Sequence, residues 1–152
     1  MSIAVDTKLF EQSNGSFDIK VGSDGDLIPE YGFDNALINS VLTEQRADES
    51  EMPPPERRRG WFGDLVAIDS SLDGSKLWLL YQSKNTQNTV NMAENYVKKS
   101  LQWLIDDGYV DQVLVNAIRS FDEIVIEVKL FVANNIVDSR LFSVWQNTGI
   151  GK

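Results

Sequence analysis

The chain has 152 residues, 42% of them apolar, with four tryptophans; that is enough for one domain with a real core and excludes wholesale disorder. Its net charge of −9 sets a repelling field against nucleic-acid phosphates and anionic membrane surfaces. With no cysteine and no histidine, it cannot run Ser-His-Asp, Cys-His or HExxH chemistry, hold a thiolate zinc site or form a disulfide scaffold.

The first residues, MSIAVDTKLF, lack a basic stretch followed by a long apolar one, so no secretory signal is expected. No apolar run approaches the roughly 18 residues of a membrane span. The expectation is a protein that folds and stays in the cytosol until it joins something. Ile3, Val5 and Lys8 to Phe10 point to a short first strand. Asn14-Gly15 is a hairpin turn signal, and Phe17, Ile19 and Val21 alternate with polar residues as a half-buried strand. The acidic turn at 22–26 lacks the DxDxDG spacing and distal Glu of a calcium loop, and reads as a solvated turn.

Residues 32–46 read as a first helix, with Phe33, Ala36, Leu37, Ile38 and Val41 on one stripe and Asp34 or Asn35 near its start. Three consecutive prolines, Pro53 to Pro55, make residues 47–59 an irregular loop. Leu77 to Tyr81 is apolar nearly all round and reads as a short buried helix. Residues 86–107 form the clearest helix: Val90, Ala93, Val97, Leu101 and Leu104 make its stripe, Asn85 or Thr86 caps its start, and Gly108 ends it. Tyr96 and Trp103, seven positions apart, are expected to widen the buried face. Then come a strand through Val113, Val115 and Ala117, a turn at 120–122, and a long strand with Ile124, Ile126, Val128, Leu130 and Val132 on one face. Asn134-Asn135 signals another turn, and Leu141 to Trp145 a last short strand. The order is α+β: an N-terminal β-hairpin, two or three helices, and a C-terminal antiparallel meander packed on the long helix. The expected organisation is one domain over 1–152, with residues 133–152 as an arm that reaches a neighbour.

Among the carboxylates, Glu44, Glu56, Asp64 and Glu94 are conceivable glycosidase acids. The sequence offers no pair with differently tuned surroundings, so these acids read as solvated. No catalytic residue, cofactor or metal is expected. The segment TEQRADESEMPPPERRRGWFGD carries a different grammar. Arginines beside large aromatics have the composition of interface hot spots, while the neighbouring acids weaken a phosphate-binding reading. A sheet ending in a short strand also leaves an edge open to a partner strand.

Several boxes in order resemble the small baseplate proteins of Mu-like contractile-tailed phages and prophages. They are GFDNALINSVLTEQRADE, RRGWFGD (residues 58–64), GSKLWLL (74–80) and AENYVKKSLQWLIDDG (93–108), followed by an alternating strand pair. The resemblance runs over about residues 1–132. That family is in turn similar to the sheath-initiator, or wedge-lysozyme-like, proteins, whose Arg-Pro-x-Phe-Gly box has a counterpart in Arg59 to Gly63. Their Gly-Glu-Arg turn is not present in that form. The resemblance implies a structural, non-enzymatic part of the virion tail baseplate, assembled in the host cytoplasm, in six copies around the tail tube. Its implied partners are wedge proteins, the sheath protein, and tube or hub proteins, met by strand pairing and by a hot-spot anchor. The residues expected to bind partners are Arg46, Arg57, Arg58, Arg59, Trp61, Phe62, Leu141, Phe142, Val144 and Trp145. The competing classes are a peptidoglycan-cleaving baseplate enzyme and a generic intracellular adaptor.

Overall fold

The computed structural model describes residues 6–30, 32–52, 58–66, 73–81 and 83–145. Its centre is an antiparallel sheet in the order β5 (Gln112–Arg119), β6 (Glu123–Val132), β7 (Asn135–Trp145). A strand's side chains alternate between faces, and β6 shows it fully: Ile124, Ile126, Val128 and Leu130 are all completely buried. Val115 of β5 and Phe142 and Val144 of β7 extend the same apolar face. Helix α2 (Gln87–Asp106) lies on that face with Val90, Ala93, Val97, Leu101 and Leu104. Helix α1 (Asp34–Leu42) adds Leu37 and Val41, and the 3-10 turn Leu77–Leu80 adds its two end leucines.

The ends of α2 follow expectation. Thr86 caps it by accepting the Thr89 N–H at 3.3 Å. Gly108 adopts φ +77°, and Tyr109 N–H turns back to Leu104 O at 2.9 Å. The β5–β6 connection is a two-residue turn closed by Ser120 N–H to Glu123 O at 2.9 Å. The β6–β7 turn falls on Ala133 and Asn134, both with positive φ, the geometry that matches the twist of a tight hairpin. Chain reversal thus comes one residue earlier than the Asn134-Asn135 signal placed it. β7 is correspondingly longer than a short strand at 141–145. Residues 135–145 of the expected arm are this strand, and 146–152 lie outside the described residues.

The N-terminal part consists of small pairings: β1 (Asp6–Thr7) with β4 (Pro29–Glu30), and β2 (Phe10–Glu11) with β3 (Phe17–Asp18) around the Asn14-Gly15 turn. Ile3 and Val5, expected in the first strand, lie outside the described residues. The half-buried strand expected through Val21 shrinks to two residues, and Ile19 and Val21 are exposed, because a two-stranded ribbon has no layer to cover them. Buried Asn35 holds this part to α1: its carbonyl oxygen accepts Leu9 N–H at 3.1 Å and its amide donates to Thr7 O at 2.6 Å. Arg140 of β7 ties it to the sheet by pairing with Asp34 at 2.6 Å and Glu11 at 3.1 Å.

Two expectations fail here. The first helix stops at Leu42, because Thr43 turns extended (φ −68°, ψ 133°) to pair with a distant segment. Trp103 does not join the core but stays 39% exposed. The packing yields a test. Ile126→Ala should cost about 2–5 kcal/mol in a denaturant titration, the usual range for emptying a core site. Ile118→Ala, on the outward face of β5, should stay within about 0.5 kcal/mol.

Candidate docking site

Residues 43–47 leave α1 as a strip bonded to two distant segments. Ser75 N–H donates to Thr43 O at 2.8 Å, and Gln45 N–H returns to Ser75 O at 2.9 Å. Further along, Ala47 N–H donates to Arg58 O at 2.9 Å. A glycine permits each close approach. Gly74 (φ +90°) lies against Thr43 so tightly that a methyl group there would strike the Thr43 carbonyl. Gly60 (φ +104°) lies over Arg46, where a methyl would sit 2.8 Å from the Arg46 Cβ. The two sequence boxes thus both close on one strip, as a clamp.

The clamp uses side chains as well. Arg59 pairs with Glu44 at 2.9 Å and lies 5.1 Å over the Trp78 ring. Buried Trp78 donates its indole N–H to Gln45 O at 2.8 Å. Lys76 reaches both Asp48 (2.9 Å) and Glu51 (2.8 Å). Partial burial pulls the Lys76 ammonium down, but its hydrogen bonds to Glu51 and Asp48 outweigh that and hold it above the ordinary 10.5. The hydrogen bond from Lys76, with its charge, holds the Asp48 carboxyl below 3.8. The Asp48 contribution is therefore complete above pH 3.8 and fades as pH falls through its lower folded value. The Lys76 contribution is complete below pH 10.5 and fades as pH rises through its higher folded value.

The predicted partner-binding residues divide. Arg46 is exposed, and Arg58 is half-buried with only a long 3.8 Å contact to Glu49. Trp61 and Phe62 are 45% and 74% exposed, their rings 5.7 Å apart. They stand at the 3-10 turn Phe62–Leu65, with the Trp61 ring folded onto Gly63. Arg59 is spent on Glu44 and Trp78. Leu141 points outward from the sheet, whereas Phe142 and Val144 point into the core, so these two hold the strand and present nothing to a partner. Arg57 and the Trp145 side chain lie outside the described residues. Of the weighed acids, Glu44 pairs with Arg59, Glu94 pairs with Lys98 at 3.1 Å, and Asp64 accepts Asp73 N–H at 3.4 Å; Glu56 is outside the described residues.

The sheet's two edges differ. The Ser120–Glu123 bond sets the phase: even-numbered backbone groups of β5 face β6, and odd-numbered ones face outward. On that outward side the Glu94 carboxylate takes the Ala117 N–H at 3.3 Å. By the same phase, Ser139, Leu141 and Ser143 turn their backbone groups to the free side of β7. Asp138 takes the Ser139 N–H at 2.8 Å, and no described group meets those of Leu141 and Ser143. Sequence reading missed the Glu94 plug and the stacking of Arg59 on Trp78, since both join residues far apart in the chain.

A clamped strip, the exposed pair Trp61 and Phe62, and a β7 edge with two outward backbone positions that no described group meets are the surface features of this fold. Residues 33–136 match the family model described as "Phage protein GP46". The "Mu-like prophage FluMu protein gp46" of Haemophilus influenzae is 31% identical over 130 residues, covering 85% of this chain and 89% of that protein. "Baseplate protein gp46" of Escherichia phage Mu is 35% identical over 108 residues, 69% of this chain and 72% of that one. The chain belongs to the GP46 family of phage proteins, as the resemblance to Mu-like phage proteins implied.

The clamp makes two predictions. Gly15 and Gly74 both hold positive φ, but only Gly74 has backbone in the way of a side chain. Gly15→Ala should cost about 1–2 kcal/mol of stability, and Gly74→Ala measurably more in the same denaturation assay. Lys76→Met should speed amide exchange over residues 47–51 at neutral pH while shifting the melting temperature little, because exposed ion pairs hold a loop more than they hold a fold.

Proposed function

We propose that this protein is a non-enzymatic structural component of a contractile phage tail baseplate, where it joins wedge proteins around the tail tube and starts the sheath by strand pairing. The observation that carries this reading is the unequal pair of sheet edges. An incoming strand on β5 would have to displace Glu94 from Ala117, whereas β7 offers Leu141 and Ser143 in register with no described group to displace. The relative named as a baseplate protein supports the setting. In this reading the sheath arm adds beside β7, and Trp61 and Phe62, flanked by Arg46 and Arg58, seat against a wedge protein. Six copies ring the tube in the virion, after assembly in the host cytoplasm.

Deleting residues 135–152 would remove Phe142 and Val144 from the core, so a sharper variant is needed. Ser143→Pro removes one outward N–H and no bond to β6, the placement proline tolerates on an edge strand. It should melt near the parent and give tubes without sheath in electron micrographs of assembled particles. Normal sheathed tails from Ser143→Pro would sink the strand-pairing role. For the anchor, Trp61→Ala with Phe62→Ala should leave the fold intact and keep the protein out of purified baseplates, since losing such an anchor costs about 2 kcal/mol or more of binding. Zymography with the pure protein tests the non-enzymatic claim: peptidoglycan clearing, abolished by one carboxylate substitution, would move it to the hydrolase reading.

A further inference from the structure

Helix α1 and the C-terminal half of α2 share the core through Leu37, Val41, Leu101 and Leu104 but part toward the surface. A groove of about 1000 Å³ runs between them. Small side chains line it at Ala36, Ser40 and Ser100, and so do two tryptophans, Trp61 and Trp103, both well exposed for their size. Neither ring is free to swing. Trp103 donates its indole N–H to Ser40 Oγ at 2.9 Å and meets Tyr109 edge-on at 5.8 Å. Trp61 lies on Gly63, where any side chain would displace it. Three carboxylates, Asp73, Asp106 and Asp107, line the same groove against a single ammonium, Lys99.

Two of those carboxylates stand where the fold does not favour them. Asp106 and Asp107 sit at the C-terminal end of α2, the negative pole of the helix, and its last turn holds no basic residue. Asp106 accepts only the Gln102 amide, at 3.0 Å, and no ion pair to either is described. Acids that break the helix-end rule without an internal partner mark a place kept for something else.

We propose that this groove receives a basic, extended segment of a partner protein, with an arginine laid against Trp61 or Trp103 and its charge turned to Asp106 and Asp107. A guanidinium does both jobs, since it is planar enough to stack on an indole and pairs with carboxylates through a fork of donors. A second copy of this chain is the poorer occupant: its net charge is −9, and in its basic run Arg59 is already paired with Glu44. The inference does not depend on the baseplate reading, because it is tested on the isolated protein.

The full chain, labelled with nitrogen-15, is titrated with the peptide Ac-Ala-Arg-Leu-Arg-Ala-amide and with its counterpart carrying glutamate for arginine. The arginine peptide should move the indole signals of Trp61 and Trp103 and leave that of buried Trp78 in place, and added salt should weaken the effect. An Asp106→Asn, Asp107→Asn double variant should bind about tenfold more weakly and melt slightly higher than the parent, as relief at the helix end requires. Indole signals unmoved at millimolar peptide, or moved equally by the glutamate peptide, would overturn the proposal. A double variant that melts lower would make these carboxylates structural and overturn it too. Indole shifts that grow with protein concentration alone would give the groove to a second copy, against the proposal.

Discussion

Ile124, Ile126, Val128 and Leu130 are wholly buried because α2 lies along them, and a three-stranded sheet has only one helix of this length to lie on it. The other face of the sheet stays in solvent, carrying Leu114, Ile118 and Leu141 beside the Glu127–Lys129 pair. The remaining elements are arranged around that single layer contact. The short α1 fills the side of α2 away from β5. The 3-10 turn Leu77–Leu80 closes one end. Arg140 and Asp138 of β7 reach the start of α1, where Asp138 accepts the Phe33 N–H at 2.9 Å. A large part of the buried apolar surface sits in that one layer contact.

The clamp around residues 43–47 is the second organising feature. It turns a helix into a strip within one residue, and it brings the Arg58–Asp64 and Gly74–Leu80 boxes together on that strip, with Arg59 of one stacked on Trp78 of the other. Trp61 and Phe62 project from a turn that follows closely on Arg58, whose carbonyl is tied to Ala47; if they dock as proposed, little freedom would be lost.

The sequence was legible where local pattern and tertiary packing agree. The alternation along β6, the stripe of α2, its Thr86 cap and its Gly108 stop all follow from residue spacing. It was illegible where a distant partner overrides a local preference. Residues 43–46 have helical composition, but Ser75 and Arg58 compete for their backbone, and nothing near residue 43 announces either. Trp103 falls at the margin of the apolar stripe, and whether a marginal position is covered depends on where α1 ends. In β7 the apolar residues Leu141, Phe142 and Val144 occupy both faces, so only the register with β6 separates the buried pair from the exposed one. Arg58 and Arg59 are adjacent and chemically equal, yet the left-handed turn at Arg59 (φ 49°) sets Arg59 over Trp78 and against Glu44, while Arg58 meets Glu49 at 3.8 Å.

Glu94 has a consequence at the scale of an assembly. A sheet that could pair at both edges would propagate, each chain recruiting the next into a growing fibre. If strands add as proposed, the occupied Ala117 N–H would leave β7 as the side that takes one. Strand addition would then be a terminating event with fixed stoichiometry: one chain takes one guest. A single carboxylate on a helix would thereby separate counted assembly from open polymerisation.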